Sequence, residues 1–298
     1  MNTVLTLKNV KKKINRKTII NGLSFSVNEG EVFGFLGPNG AGKTTTIRMI
    51  VGLMEISEGD IVICGKSIKG DFTGAVRQIG AIVENPEMYK FLTGYQNLMQ
   101  YARMHEGITK EKIAEVVELV GLTDRIHEKV KTYSLGMRQR LGLAQCLLHD
   151  PKLLILDEPT NGLDPAGIRE IRDHLRVLTR ERGMSVIVSS HLLSEMELMC
   201  DRIAIIQKGE LIDVQTVNEF VHQATSVFAF ETGSIENESG WLIREWDAII
   251  DENGFTVKTE REQVPNLIKK LVAAGVDVYG VKTVAKSLED RFLEVTSK

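Results

Sequence analysis

Apolar and polar residues alternate through residues 4–27, as in Leu5-Thr6-Leu7 and Leu23-Ser24-Phe25-Ser26-Val27. That period predicts half-exposed antiparallel strands. Residues 31–36 form a short apolar run, predicted as a buried strand, and residues 45–53 carry the apolar spacing of a helix. Strands are predicted at 59–65 and 79–84. From residue 93 to about 148 the spacing turns helical, with helices at 94–102, 109–120 and 135–148, the last stopping before Pro151. This stretch reads as an all-helical insertion between strand 79–84 and the next buried strand. That strand is Lys152-Leu153-Leu154-Ile155-Leu156-Asp157, a continuous apolar run of the kind found at the centre of a parallel sheet. A helix at 168–182, a strand at 185–189, a helix at 192–199 and a hairpin at 203–212 complete a βαβ-like alternation.

Beyond about residue 215 short segments follow: strands at 227–230, 255–257 and 276–281, and helices at 264–274 and 287–295. They predict a second, small α+β domain. A chain of 298 residues fits two domains at roughly 150 residues each, taken here as 1–220 and 221–298.

Between the strand at 31–36 and the helix at 45–53 lies Gly37-Pro38-Asn39-Gly40-Ala41-Gly42-Lys43-Thr44, which fits G-x-x-x-x-G-K-[ST] in its strand–loop–helix context. Gly37, Gly40 and Gly42 permit backbone conformations that a Cβ forbids, so successive N–H groups point inward at phosphate oxygens. The helix that follows, with Thr45 in its first turn, adds unpaired N–H groups and a positive dipole end. Lys43 supplies a point charge for the β- and γ-phosphates, and the Thr44 hydroxyl is placed to ligate Mg²⁺. A bound nucleoside triphosphate is expected. Asp157 and Glu158 end the apolar run at 153–156. In a phosphate-loop protein, Asp157 is expected to hold the Mg²⁺ shell and Glu158 to polarise the attacking water as general base.

The formal net charge of −3 does not suggest nucleic acid or an anionic membrane surface, and Lys11-Lys12-Lys13 reads as a solvated strand end. Cys64, Cys146 and Cys200 have no metal-ligand spacing and sit among apolar residues, which predicts buried thiols in a reducing compartment. No apolar run approaches the roughly 18 residues of a membrane span, and no signal-peptide core opens the chain. Membrane work would need another chain.

Tyr133-Ser134-Leu135-Gly136-Met137 opens the third helix of the insertion. Ser134 is a helix cap and Gly136 permits close backbone approach, which makes an anion site. With these residues the chain resembles the ATP-binding subunit of an ABC transporter over about residues 3–215. The family signature is Leu-Ser-Gly-Gly-Gln, of which this chain keeps Ser134 and Gly136. The resemblance implies an α/β P-loop ATPase with an antiparallel β subdomain and a helical insertion. Two ATP molecules would lie between two copies, with Ser134 and Gly136 reaching the γ-phosphate held by the partner's loop. It further implies that Asn161-Gly162-Leu163-Asp164 crosses the dimer interface and that His191 contacts the γ-phosphate and orients Glu158. Glu84 stands where the family usually has a metal-sensing Gln. The position of the adenine-stacking aromatic falls on Ile14, which offers no π face.

The narrower resemblance, from residues 133–137 and Ser287-Leu288-Glu289-Asp290-Arg291-Phe292-Leu293, is to exporters of bacitracin and peptide antibiotics. The ABC-subunit resemblance itself implies separate permease subunits, attachment to the cytoplasmic side of the membrane through them, and a permease contact within 85–95, where insertion core is the alternative for Met88, Tyr89, Phe91 and Leu92. No nucleic acid is expected as a partner. An ABC-type ATPase acting on nucleic acid or ribosomes is the alternative, but the long coiled-coil insertion or tandem cassette common in that class is absent. A GTPase would need an Asn-Lys-x-Asp motif, which the chain lacks.

Overall fold

A computed structural model describes residues 2–222, 227–235, 239–251 and 253–284, and the chain divides into two compact units between Val217 and Asn218. In the first unit, β1 (Thr3–Ile14) and β2 (Lys17–Asn28) pair antiparallel as their alternation predicts. The two-residue turn between them, Asn15-Arg16, has positive φ at both positions, 46° and 68°, the twist that a tight hairpin favours. After β3 (Val32–Leu36) and α1 (Lys43–Ile50) come β4 (Glu58–Ile63) and β5 (Lys66–Ser67), which extend the first sheet to β2-β1-β4-β5. Lys11 and Lys13 bracket Glu58 on β4 at 2.8 and 2.9 Å. Hydrogen bonds from Lys11 and then Lys13 pull the Glu58 carboxyl down to about 2, so the basic run is a neutralised strand end.

The second sheet carries the site. Past α2 (Phe72–Val76) and β6 (Ile79–Ile82), three helices α3 (Gly94–Ala102), α4 (Lys110–Leu119) and α5 (Leu135–Leu147) form the insertion. Thr93, Thr109 and Ser134 cap them, each accepting a backbone N–H three residues on, as N-cap chemistry requires. Then follow β7 (Leu153–Asp157), α6 (Pro165–Arg182), β8 (Ser185–Ser190), α7 (Leu193–Met199), β9 (Arg202–Gln207) and β10 (Glu210–Thr216). The sheet order is β10-β9-β3-β8-β7-β6. All its neighbours are parallel except β10, which returns antiparallel on β9. Every residue of β3, β7 and β8 is buried, which is why their sequences are apolar without alternation. Phe25 of β2 stacks on Phe33 of β3 at 5.4 Å between ring centres, inside the core shared by the two sheets.

Two of the boundaries that differ from the sequence reading bear on the site. The helix expected at 168–182 starts at Pro165, because Asp164 caps it by accepting the Gly167 N–H at 2.8 Å and Pro165 needs no donor at that position. The helix after the glycine loop starts at Lys43, two residues early.

The cysteine reading also changes. Cys146 and Cys200 are buried, but Cys64 is half-exposed and has a positive φ of 47° in the residue just after β4. Burial pushes the Cys146 thiol up to about 12 and raises Cys200 and half-exposed Cys64 as well, so access decides between them. Alkylation of the native chain at about pH 8, read by mass spectrometry, is therefore expected to label Cys64 well ahead of the other two. Equal labelling of Cys146 would mean that the packing of α5 opens readily.

In the second unit, which α8 (Val217–His222) enters, β11 (Val227–Thr232), α9 (Ser239–Trp246), β12 (Ile249–Asp251), β13 (Gly254–Lys258), α10 (Val264–Ala273) and β14 (Val278–Val284) follow in order. The sheet is antiparallel in the order β12-β13-β11-β14, the split β-α-β arrangement of a ferredoxin-like unit. Phe230 stacks on Phe255 at 4.7 Å, with Leu242, Leu267 and Leu271 completing the core. The strand expected at 276–281 runs instead through 278–284. The helix expected at 287–295, with the resemblance read from it, lies outside the described residues.

Candidate nucleotide site

β3, β8, β7 and β6 are adjacent and parallel, so their carboxyl ends meet along one edge, where ligands bind in open α/β sheets. β3 runs into the glycine loop. A Cβ on Gly37 would lie 2.4 Å from the Ile206 carbonyl oxygen, and Gly42 has a φ of 111°; both positions demand glycine. Lys43, only 5% exposed, folds its ammonium back across the loop. Its Nζ donates to Gly37 O at 2.7 Å and stands 3.4 Å from Glu158 Oε1. Thr44 and Thr45 are half-buried on the first turn of α1, while the Thr46 hydroxyl is spent on Gly42 O at 2.9 Å.

β7 brings Asp157 to the same edge with 3% of its surface exposed. Ser189, paired with it in the β7–β8 register, donates its hydroxyl to Asp157 Oδ1 at 2.6 Å and accepts the Glu158 backbone N–H at 2.9 Å. Glu158 itself has a positive φ of 49°, a costly conformation of the kind that concentrates at functional sites. Its Oε2 accepts from Asn161 Nδ2 at 3.3 Å and lies 3.1 Å from His191 Nδ1. The structure thus brings Lys43, Asp157, Glu158 and His191 together at the foot of the glycine loop. The serine that couples the two carboxylates was missed in the sequence. Two consecutive serines ending a buried strand, where apolar residues are the rule, were the available signal.

Glu84 is placed otherwise. It follows β6 with a φ of 67°, is exposed, and its carboxylate is held by Arg48 of α1. As a metal ligand it would have to leave that partner. Among the described residues no three His, Cys, Asp or Glu side chains converge on one point. The donor set still fits magnesium, which takes one or two carboxylates and completes its octahedron with water and substrate phosphates. Asp157, which spends Oδ1 on Ser189, and Thr44 on the first turn of α1 are the residues that would hold it. A bound magnesium would supply charge neutralisation for the phosphates.

Ser134 and Gly136 stand elsewhere, at the start of α5. Among the described residues neither bonds to Lys43, Asp157, Glu158 or His191. The Ser134 hydroxyl accepts the Met137 N–H at 3.2 Å, and the residue is exposed. A Cβ on Gly136 would meet nothing nearer than Leu163 Cδ2 at 3.9 Å. Tyr133, where the family has Leu, is buried and donates its hydroxyl to Arg125 O at 2.7 Å; the departure is anchored in the insertion. Asn161 to Asp164 form a turn with Gly162 at a φ of 76°. Ile14 is exposed beside the hairpin turn, an apolar face without a ring.

The ABC transporter family model matches residues 20–161. The ABC transporter ATP-binding protein YhcH of Bacillus subtilis is 66% identical over all of this chain and 97% of its own length. The chain belongs to the ABC transporter family. Bacitracin transport ATP-binding protein BcrA of Bacillus licheniformis is 38% identical over 99% of the chain and 98% of its own length. A solved ATP-binding subunit of an ABC transporter superposes with a TM-score of 0.66 at 29% identity, covering 74% of this chain and 92% of that one. This ABC subunit therefore binds ATP and hydrolyses it to drive transport. ABC ATPases work as dimers with separate transmembrane components. Among the described residues no helix is long and apolar enough to cross a membrane.

Proposed function

We propose that two copies of this chain pair about a two-fold axis with two ATP molecules between them. Ser134 and Gly136 of each copy then complete the site built by the other. Gly136 carries this reading. Its glycine is needed by nothing among the described residues of its own chain, yet glycine near a helix start costs stability, so the demand for bare backbone is assigned to a partner. Within each site Lys43 holds the β- and γ-phosphates, Thr44 and Asp157 hold the metal shell, Glu158 takes a proton from the attacking water and His191 keeps Glu158 aimed. Closure on ATP and opening after hydrolysis drive a separate permease. The subunit sits on the cytoplasmic face of the membrane through that permease. Its cargo, on the likeness to the bacitracin relative, is a peptide antibiotic, lipid or drug-like molecule. Neither the fold nor these relatives favour the nucleic-acid alternative.

The permease contact is proposed at residues 85–95. The loop is pinned by buried Asn97, which accepts the Tyr89 N–H at 2.9 Å and donates to Tyr89 O and Thr93 O at 3.1 and 2.9 Å. Pinned in this way, it leaves Tyr89 53% and Phe91 69% exposed. Beside it runs a groove of about 360 Å³ lined by Leu53, Val83, Pro86 and Tyr101, among others. Because these rings are outside the core, the paired change Tyr89→Glu and Phe91→Glu is expected to leave the melting temperature and the ATPase rate of the isolated chain nearly unchanged. It should abolish co-purification with the permease. A chain that unfolds instead would return Tyr89 and Phe91 to the core and remove the contact from this loop.

A further inference from the structure

Backbone pairing between β7 and β8 ends at Asp157 and Ser189. Beyond that rung the two chains part, one toward Glu158 and Thr160, the other toward Ser190 and His191, and side chains alone hold one loop against the other. Besides the Glu158–His191 contact itself, one further oxygen links them. Glu195, on the first turn of α7, receives the Thr160 hydroxyl at 2.6 Å and the Ser190 hydroxyl at 3.0 Å, both on Oε2. Ser190 Oγ also accepts the Leu192 N–H at 2.9 Å, which ties the turn after His191 to the same junction. Thr160 is 5% and Ser190 2% exposed. Hydrogen bonds to a charged acceptor are the stronger kind.

We propose that Glu195 is a positioning residue for ATP hydrolysis: its carboxylate clamps the loop bearing Glu158 to the loop bearing His191 and so sets the 3.1 Å approach between them. This rests on the reading of Glu158 and His191 as the hydrolytic pair. Glu195 touches neither of them. Its effect is on geometry, and displacement of a reacting group by about 1 Å costs on the order of 100-fold in rate. The phosphate cradle lies on β3 and α1, which the clamp does not join, so nucleotide binding stands apart from it.

The test is steady-state and single-turnover hydrolysis by the full chain. Glu195→Ala is expected to lower kcat by about 10- to 100-fold, with KM for ATP and the melting temperature little changed. Glu195→Gln keeps an oxygen that accepts both hydroxyls and should recover at least about tenfold of that loss. Thr160→Val, which keeps shape and removes the donor, should lower kcat on its own. Combined with Glu195→Ala it should lower kcat no further, because the two act as one unit. Full kcat in Glu195→Ala overturns the proposal. So does a loss matched by falling stability that Gln does not relieve, which marks a structural residue. If Glu158→Gln hydrolyses ATP normally, both readings fail. If Glu158→Gln is inactive and Glu195→Ala is not, only the clamp fails.

Discussion

Glu158→Gln is expected to bind ATP as the parent does, to lose hydrolysis by about 100- to 10,000-fold, the usual contribution of a positioned general base, and to accumulate as an ATP-bound dimer. The geometry supports each part. An amide keeps the shape that fits between Lys43 and His191, so neither loop has to move. Lys43 retains its bond to Gly37 O at 2.7 Å, so the phosphate cradle survives. What disappears is the proton acceptor and one negative charge beside the place where the γ-phosphate binds. The first loss stops the chemical step; the second favours the bound nucleotide. Because opening follows hydrolysis, blocking the step holds the two copies closed. Size-exclusion chromatography with ATP and magnesium, alongside phosphate release, reads both effects. Hydrolysis near the parent rate would end the assignment of Glu158 as base.

The features that were legible in the sequence share one property: each lies in a local pattern tied to its own strand or helix. The glycine spacing from Gly37 to Gly42, the apolar run into Asp157 and Glu158, and the cap at Ser134 need no knowledge of what packs across the sheet. The residues that escaped notice act across long sequence gaps. Ser189 reaches Asp157 from 32 positions away and Arg48 reaches Glu84 from 36. Nothing local marks either pairing, since it exists only once β6, β7, β8 and α1 are aligned. The β-α-β-β-α-β order of the second unit escaped for another reason. Strand β12 is three exposed residues, and α9 packs Trp241, Leu242 and Trp246 against the core, too few apolar positions to set a period. Asp164 shows one residue open to two readings: it sits where the family crosses its dimer interface, and within the chain it is a helix cap.

The other large effect is expected at Gly136, where stability and activity should move independently. Gly136→Ala adds a methyl into space whose nearest neighbour is 3.9 Å away and relieves the entropic cost of glycine, about 0.5–1 kcal/mol in a helix interior and less at its start. The melting temperature of the isolated chain should therefore hold or rise. If the same atom faces a partner's γ-phosphate, the methyl keeps the backbone from closing on it. Hydrolysis should then fall even as the fold gains. Gly136→Asp adds a negative charge against the phosphate and should abolish turnover without unfolding the chain. Mixing supplies the sharper comparison. Gly136→Asp and Lys43→Ala are each expected to be inactive alone, one for lack of a partner surface, the other for lack of a phosphate clamp. In a two-fold dimer of one of each, one site regains an intact Lys43 and faces an intact Gly136, while both defects fall in the other site. With random pairing, half the dimers are mixed and each has one working site, so up to about a quarter of the parent single-turnover activity should return. A site complete within one chain allows no such recovery, and a Gly136→Asp chain that hydrolyses ATP as a monomer would place Gly136 outside the chemistry.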